Sequence, residues 1–158
     1  MAHGELSARM QEIEARQERH GRGYAISGPQ GDVDSPLSRS DLELLDDVLI
    51  EAERKTGLRF TAFLGGLGVD TRSAAEDLLK SLGAEAPVAV LLAVSPGQKV
   101  VEVVTGGEAS RRISDRSARL AVMAVTAACG VGEVVSGVVN GLRILADQAG
   151  TLPDRSNW

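Results

Sequence analysis

Apolar residues recur at helical spacing in the segment SDLELLDDVLIEAERKTG, residues 40–57. Four of them share one helical face: Leu42, Leu45, Leu49 and Ala52. Ser40 and Glu43 have the spacing of a capping box, and Gly57 is a typical residue to follow a helix end. The pattern therefore predicts an amphipathic helix over residues 41–56.

Three short apolar runs and one amphipathic segment follow. LRFTAFLGG (58–66) has strand composition, and DTRSAAEDLLKSLG (70–83) has the start and stop signals of a helix. VAVLLAVS (88–95) is almost continuously apolar, which is typical of a strand covered on both faces. KVVEVVTG (99–106) follows it after PGQ and predicts an antiparallel hairpin. Strand, helix and strand together predict a right-handed parallel crossover before the hairpin.

Two helices are predicted to close the domain. DRSARLAVMAVTAAC, beginning at Asp115, is apolar on nearly every side and predicts a deeply buried helix; GEVVSGVVNGLRILADQAG predicts the last one. Gly137 and Gly141 form a G-x-x-x-G spacing, which outside a membrane indicates close helix packing. Five residues are predicted to lie in the core: Val90, Leu92, Val101, Val103 and Val125. The fold class is therefore α/β in three layers, a mixed three- to four-stranded sheet flanked by helices.

The chain divides into three parts by composition. Residues 1–36 begin with a charged stretch and continue into GRGYAISGPQGDVDSPLS, which is rich in Gly, Pro, Ser and Asp. They are predicted to form a flexible N-terminal arm because so few apolar residues cannot offset the entropy of ordering. Residues 37–150 are predicted to form the α/β domain, and residues 151–158 a C-terminal tail.

Composition narrows the range of functions. The chain of 158 residues has 43% hydrophobic residues, enough for one core, and only 3% aromatic residues. The formal net charge of -5 opposes binding to nucleic acid and to anionic lipid. The first residues lack the apolar segment of a signal peptide, and no apolar stretch is long enough for a direct membrane span. These features predict a soluble, cytoplasmic protein.

Four stretches, in this order, resemble the TPM domain: TGLRFTAFLGGLG, VAVLLAVSPGQKVVEVVTGGE, ISD and VGEVVSGVVNGL. The pattern of that family is a Thr-Gly before the first strand, a hairpin ending in Gly-x-Gly-x-Glu, a Leu-Thr-Asp, and a late Gly-Asp/Glu-x-x-x-Gly. The chain is most similar to the small soluble actinobacterial TPM-like proteins, a domain of unknown function. The resemblance implies a three-layered α/β fold. It also implies either a calcium-binding acid phosphatase or an accessory or assembly module.

The resemblance implies a weak calcium site formed by Glu85, Glu108 and Asp115. Asp115 in ISD matches the Asp of the family. The family's acidic pair before the second strand is replaced by GAEAPVAV, which leaves Glu85 alone, and TGGE matches the hairpin end only approximately. Because a hard cation requires six or more oxygen ligands, these carboxylates supply an incomplete set.

Three arginines recur every three or four residues directly after TGGE: Arg112, Arg116 and Arg119. On one side of a helix near its positive end they form a candidate anion site, and the alternative is a solvated basic face. Acidic residues of the first helix form an opposite patch: Glu43, Asp46, Asp47 and Glu51. The two patches are solvated surfaces or a docking pair between subunits or with a partner.

Other candidate chemistry is weak. His3 and His20 lie outside the predicted domain, so no histidine-based site forms within it, and Cys129 is predicted to pack as a small hydrophobe. GGLGVDT (65–71) lacks both phosphate-loop motifs and indicates a glycine-rich turn capped by Asp70. TGGE is predicted to be a sharp strand exit in which two glycines adopt unusual backbone angles, or the turn of a ligand site.

The leading functional hypothesis is a non-enzymatic interaction or accessory module with another protein as its partner. One alternative is a calcium-dependent acid phosphatase-like enzyme, in which the carboxylates hold the metal and the arginines hold the phosphate. Another is a small anion-binding domain without turnover. The sequence leaves open the partner and the oligomeric state.

Overall fold

The computed structural model describes residues 25–27, as backbone, and residues 37–151. Four strands and four α-helices follow one another in this part of the chain: β1 (Ala25–Ser27), α1 (Arg39–Thr56), β2 (Arg59–Leu64), α2 (Thr71–Lys80), β3 (Ala89–Ser95), β4 (Val100–Thr105), α3 (Asp115–Gly130) and α4 (Val134–Ala149). Two short 3₁₀ turns, Gly83–Val88 and Ala109–Arg111, precede β3 and α3. Among the described helices, none combines the length and hydropathy needed to cross a membrane.

The strands form one mixed sheet in the order β1-β2-β3-β4. β1 pairs parallel with β2, and β2 pairs parallel with β3, with Arg59 opposite Ala89. β4 runs antiparallel to β3 in the hairpin register that places Ser95 opposite Val100. The predicted parallel crossover and hairpin are therefore confirmed.

Helices cover both faces of the sheet, which gives the predicted three layers. One face packs against α1, α3 and α4 around large, fully buried side chains, among them Phe60, Leu92 and Leu142. The opposite face packs against α2 through a smaller cluster that includes Leu79 and Leu91. Because alternate residues of β2 and β3 enter different clusters, every residue of both strands is buried. Four of the five predicted core residues are buried, whereas Val101 is only half-buried against the core.

Two details near the start of the domain differ from the sequence predictions. Ala25–Ser27 form an edge strand, although they fall within the segment predicted to be a flexible arm. The other residues of that arm lie outside the described residues, as does most of the predicted C-terminal tail. The capping box of α1 is formed by Ser38 and Asp41, not by Ser40 and Glu43, and each side chain accepts a hydrogen bond from the other residue's backbone N–H.

The last two helices are antiparallel neighbours that pack closely through glycine. A methyl group on Gly137 would lie 2.8 Å from the Ala128 Cβ, and one on Gly141 would lie 2.6 Å from Val125 Cγ2. The prediction that the G-x-x-x-G spacing of Gly137 and Gly141 indicates close helix packing is therefore confirmed. In contrast, the prediction that α3 is deeply buried is wrong, because only Ser117, Ala121 and Val125 of this helix are buried.

Candidate functional site

Two of the predicted calcium ligands, Glu85 and Glu108, lie at the edge of the sheet where β3 begins and β4 ends. Glu85, in the turn before β3, is engaged in an ion pair: its carboxylate oxygen is 3.0 Å from Nε of the buried Arg59. The backbone N–H of Glu108 donates to the Pro87 carbonyl oxygen at 2.9 Å. Asp115 is the first residue of α3.

Calcium binding by these three carboxylates stays a prediction. Within the described residues, no group of three or more His, Cys, Asp or Glu side chains is close enough to hold a metal ion. Glu85 neutralises Arg59, so calcium binding by Glu85, Glu108 and Asp115 would compete with this ion pair.

Arg112 was predicted to bind an anion from a helix, but it precedes α3 and faces backbone carbonyls. Its guanidinium donates hydrogen bonds to the carbonyl oxygens of Thr56, Ala149 and Gly150, the last at 2.8 Å. These carbonyls belong to the C-terminal ends of α1 and α4, where unpaired oxygens and the helix dipole favour a cation. Arg112 therefore joins two helix ends and is not available as an anion ligand.

We expect Arg112→Ala to lower the free energy of unfolding by about 1.5 to 3 kcal/mol, because carbonyl oxygens at two helix ends lose a charged donor. Arg112→Lys should recover only part of this loss, since one ammonium group lacks the planar fork that spans both helix ends. Urea unfolding followed by circular dichroism measures the effect. Arg116→Ala is the control and should stay within about 0.5 kcal/mol of the parent. Equal stability of the two alanine variants would contradict this role.

Arg116 and Arg119 remain as the exposed part of the predicted basic patch. Both lie in the first turns of α3, and within residues 37–151 neither has an ion-pair partner. The predicted acidic patch on α1 also changes, because Asp46 is only 6% exposed and is not part of a solvated surface.

The two glycines of TGGE do not have the unusual backbone angles that were predicted, since neither Gly106 nor Gly107 has a positive φ. Gly106 is required by a close approach. A Cβ atom at this position would lie 1.9 Å from the Ala86 carbonyl oxygen and 2.5 Å from that of Pro87. TGGE is thus a strand exit that crosses tightly over the turn before β3.

The glycine-rich segment between β2 and α2 is closed by hydrogen bonds within the protein. The Gln98 side chain, from the β3–β4 turn, accepts from the Leu67 N–H at 2.8 Å and donates to the Gly68 carbonyl at 2.7 Å. Asp70 caps α2 by accepting from the Ser73 N–H. The prediction of a glycine-rich turn capped by Asp70 is confirmed.

An exposed apolar surface runs along α3 on the side opposite the core. Three residues at helical spacing and the residue that follows the helix end form what we call the α3 outward stripe: Leu120, Met123, Ala127 and Val131. Leu120 is 45% exposed, Met123 67% and Val131 74%. In the described part of the chain only Leu44 and Val69 are other large hydrophobic residues with comparable exposure. Sequence reasoning missed this surface because it assumed that an apolar helix must be covered on every side.

Opposite charges flank the two ends of the α3 outward stripe. Arg116 lies one helical turn before Leu120, and Glu133 follows Val131 in the link to α4. Both side chains are exposed. Exposed residues of opposite charge therefore precede and follow the stripe along the chain.

A cavity lies beside the same helix, at the carboxyl end of β3. It has a volume of about 320 Å³ and is bounded by the hairpin residues from Val94 to Val101 and by the last turn of α3. Cys129 lines it as a half-buried free thiol, and burial raises the pKa of this thiol. The prediction that Cys129 packs against the core is confirmed.

Comparisons with known proteins give a family and a fold. A family model described as a domain of unknown function (DUF5130) matches residues 19–146. Two uncharacterized proteins of Mycobacterium tuberculosis, MT2543 (strain CDC 1551 / Oshkosh) and Rv2468c (strain ATCC 25618 / H37Rv), are each 39% identical over 121 residues, which cover 77% of this chain and 71% of the relative.

Solved structures with a similar fold include one bacterial protein and the N-terminal domains of two others. The N-terminal domain of cg2496 from Corynebacterium glutamicum has a TM-score of 0.64 at 12% identity, covering 82% of each chain. BA42 from Bizionia argentinensis has a TM-score of 0.67 at 16% identity, covering 77% of this chain and 89% of its own. The N-terminal domain of a protein from P. gingivalis has a TM-score of 0.66 at 14% identity, covering 78% and 80%. At these identities the likeness shows the fold alone.

Proposed function

The chain belongs to the DUF5130 family, a domain of unknown function, and we propose that it is a non-enzymatic interaction module that binds a second copy of itself through the α3 outward stripe. The observation that carries the proposal is the exposure of Leu120 and Met123 on one line of α3 and of Val131 directly after its last residue. Contiguous apolar surface on a soluble domain is typical of a binding face, whereas single exposed hydrophobic residues are ordinary.

Charge complementarity selects a second copy as the partner. The midpoint of the stripe lies between Met123 and Ala127, and Arg116 lies about as far before it as Glu133 lies after it. If two α3 helices pack antiparallel about a twofold axis, the apolar middle segments meet. Each Arg116 then faces Glu133 of the other copy, because a twofold interface repeats every contact in both directions.

The proposal predicts a weak dimer that one exposed substitution disrupts. An interface built around a single helix face is small, so we expect dimer to be populated at about 100 µM protein. Met123→Glu places two carboxylates at the centre of the contact and should weaken dimerisation by about a hundredfold. Sedimentation velocity over a concentration series measures this.

Leu44→Glu is the matched control. Leu44 is 44% exposed on α1, so this substitution introduces the same charge away from the stripe. It should dimerise like the parent chain, and circular dichroism should show both variants folded. A parent chain that is fully monomeric at about 100 µM contradicts pairing with a second copy. Equal weakening by both variants would assign the effect to net charge instead of the stripe.

The resemblance to TPM domains leaves a phosphatase as the enzyme alternative, and the composition of the chain leaves a cytoplasmic location as an expectation. The alternative has less support, since Glu85 is paired with Arg59 and Arg112 binds backbone carbonyls. The proposed interaction role uses neither residue. It is also consistent with the accessory and assembly roles of some TPM domains.

A further inference from the structure

The cavity beside α3 has the position of a small-molecule site. It opens at the carboxyl end of β3, which runs parallel to β2, and ligands of α/β sheets bind outside the carboxyl ends of parallel strands. Its volume of about 320 Å³ lies at the small end of the range for such sites. Val94 and Ser95 are fully buried and form its floor, while Thr126 and Gly130 are exposed at its rim.

The lining combines an apolar wall with a single cation. Of the nine lining residues, Lys99 is charged and none is acidic. Among the residues that the structure describes, the Lys99 ammonium group has no carboxylate partner. The two hydroxyl groups of the lining already donate hydrogen bonds, Ser95 to the Gln98 side chain and Thr126 to the Val122 carbonyl oxygen. Each hydroxyl oxygen can still accept a hydrogen bond, but Lys99 is the strong donor of the site.

The backbone of Lys99 is unusual in a way that glycine would relieve. Its φ is 55°, the only positive φ of a non-glycine residue in the described part of the chain. Glycine adopts this conformation without the steric conflict of a Cβ atom, so a hairpin turn alone favours Gly at this position. A lysine held there places a cation beside an apolar cavity at a cost in stability, which is typical of functional positions.

We infer that this cavity binds an aliphatic monocarboxylate, with its chain against Val94 and Val101 and its carboxylate at the Lys99 ammonium group. One lysine matches one negative charge. A phosphate monoester, with up to two negative charges, is usually held by several N–H donors or by arginine. A neutral chain would leave the ammonium group without a counter-charge.

Octanoate is the probe, and alkylation of Cys129 in the full chain reports its binding. Cys129 is the only cysteine of the chain and lines the cavity, so bound octanoate should slow its alkylation by iodoacetamide several-fold. We expect a Kd on the order of 1 mM or tighter for a ligand of this size. In ¹H–¹⁵N spectra the shifts should be confined to residues 94–101 and 126–130. Acetate, which lacks the chain, and octanol, which lacks the charge, should both bind at least about tenfold more weakly.

Two substitutions at Lys99 separate a binding role from a turn role. Lys99→Gln should weaken octanoate binding about tenfold, whereas Lys80→Gln on α2, across the sheet, should leave it unchanged. Lys99→Gly should weaken binding to the same degree and yet raise the melting temperature, because it removes the strained backbone conformation. If Lys99 serves only the turn, Lys99→Gly should raise the melting temperature without any change in octanoate binding.

Four results would overturn the inference. The first is an alkylation rate and a spectrum that do not change up to about 10 mM octanoate. The second is equal binding of octanol and octanoate, which would remove the carboxylate from recognition. The third is unchanged octanoate affinity in Lys99→Gln. Tighter binding of octyl phosphate than of octanoate would reassign the site to phosphate esters and would also contradict it.

Discussion

Gly106→Ala is expected to destabilise the protein by about 3 to 5 kcal/mol, although it adds only one methyl group. The new Cβ would lie 1.9 Å from the Ala86 carbonyl oxygen, which is backbone and cannot rotate away. The two segments are joined there by hydrogen bonds from Gly106 N–H to the Ala89 carbonyl and from Glu108 N–H to the Pro87 carbonyl, each 2.9 Å long. Relief of the clash must therefore separate the strand exit from the turn before β3.

The neighbouring glycine is a matched control for this prediction. A Cβ atom on Gly107 would meet nothing within 4 Å, and its φ is not positive. Gly107→Ala should therefore leave stability unchanged or raise it by up to about 1 kcal/mol, because alanine restricts the unfolded chain. Thermal and urea unfolding of both variants measure the difference. Similar stabilities for the two variants would contradict the close approach at Gly106.

Leu92→Ala is expected to lower the free energy of unfolding by about 2 to 5 kcal/mol, which threatens a domain of ordinary stability. Leu92 is fully buried in the middle of β3, opposite Ala62 on β2 and Val103 on β4. Its Cδ2 atom lies 3.2 Å from the position of a Cβ on Gly141, so the sheet and α4 are in close contact here. Truncation leaves a cavity that these backbones cannot close.

Leu44→Ala makes the same chemical change at a position that is 44% exposed. It should cost less than about 1 kcal/mol, because alanine favours the helix and little packing is lost. Urea unfolding monitored by circular dichroism compares the two leucine variants. A loss below about 1 kcal/mol for Leu92→Ala would be inconsistent with a central strand that is covered on both faces.

The sheet and its layers could be predicted because their signals are local. An apolar run as short as residues 88–95, which lies between Pro87 and Pro96, is typical of a strand that is covered on both faces. Asp70 and Gly57 mark a helix start and a helix end by hydrogen bonds within a few residues. The edge strand Ala25–Ser27 was missed because three residues between Gly- and Pro-rich segments carry no periodicity, and its pairing depends on β2.

The site residues depended on contacts that sequence spacing does not encode. Arg112, Arg116 and Arg119 have helical spacing, but the helix begins at Asp115, so Arg112 is separated from the other two. Its partners, at Thr56 and Ala149, are distant in sequence and are backbone atoms of no particular residue type. The same limit applies to Gly106, whose neighbours are carbonyl groups of the turn before β3.

The apolar pattern of residues 115–129 correctly predicted a helix, but the prediction that this helix is deeply buried was wrong. In the described sheet β4 is the last strand, and α3 packs on it and on α4 through Ser117, Ala121 and Val125. No described element covers the other side of the helix, where Leu120 and Met123 are exposed. The hydrophobic residues of α3 that do not pack into the core form the surface on which the proposed function depends.

The pairing of two α3 helices is tested most directly by exchanging the charges at the ends of the α3 outward stripe. The dimer dissociation constant is measured by sedimentation for the parent chain, for Arg116→Glu, for Glu133→Arg and for the double variant. Each single variant places like charges opposite each other at two symmetry-related positions and should weaken dimerisation about tenfold. The double variant restores opposite charges and should return to within about twofold of the parent. Single variants without effect, or a double variant at least as weak as either single one, would contradict the antiparallel pairing.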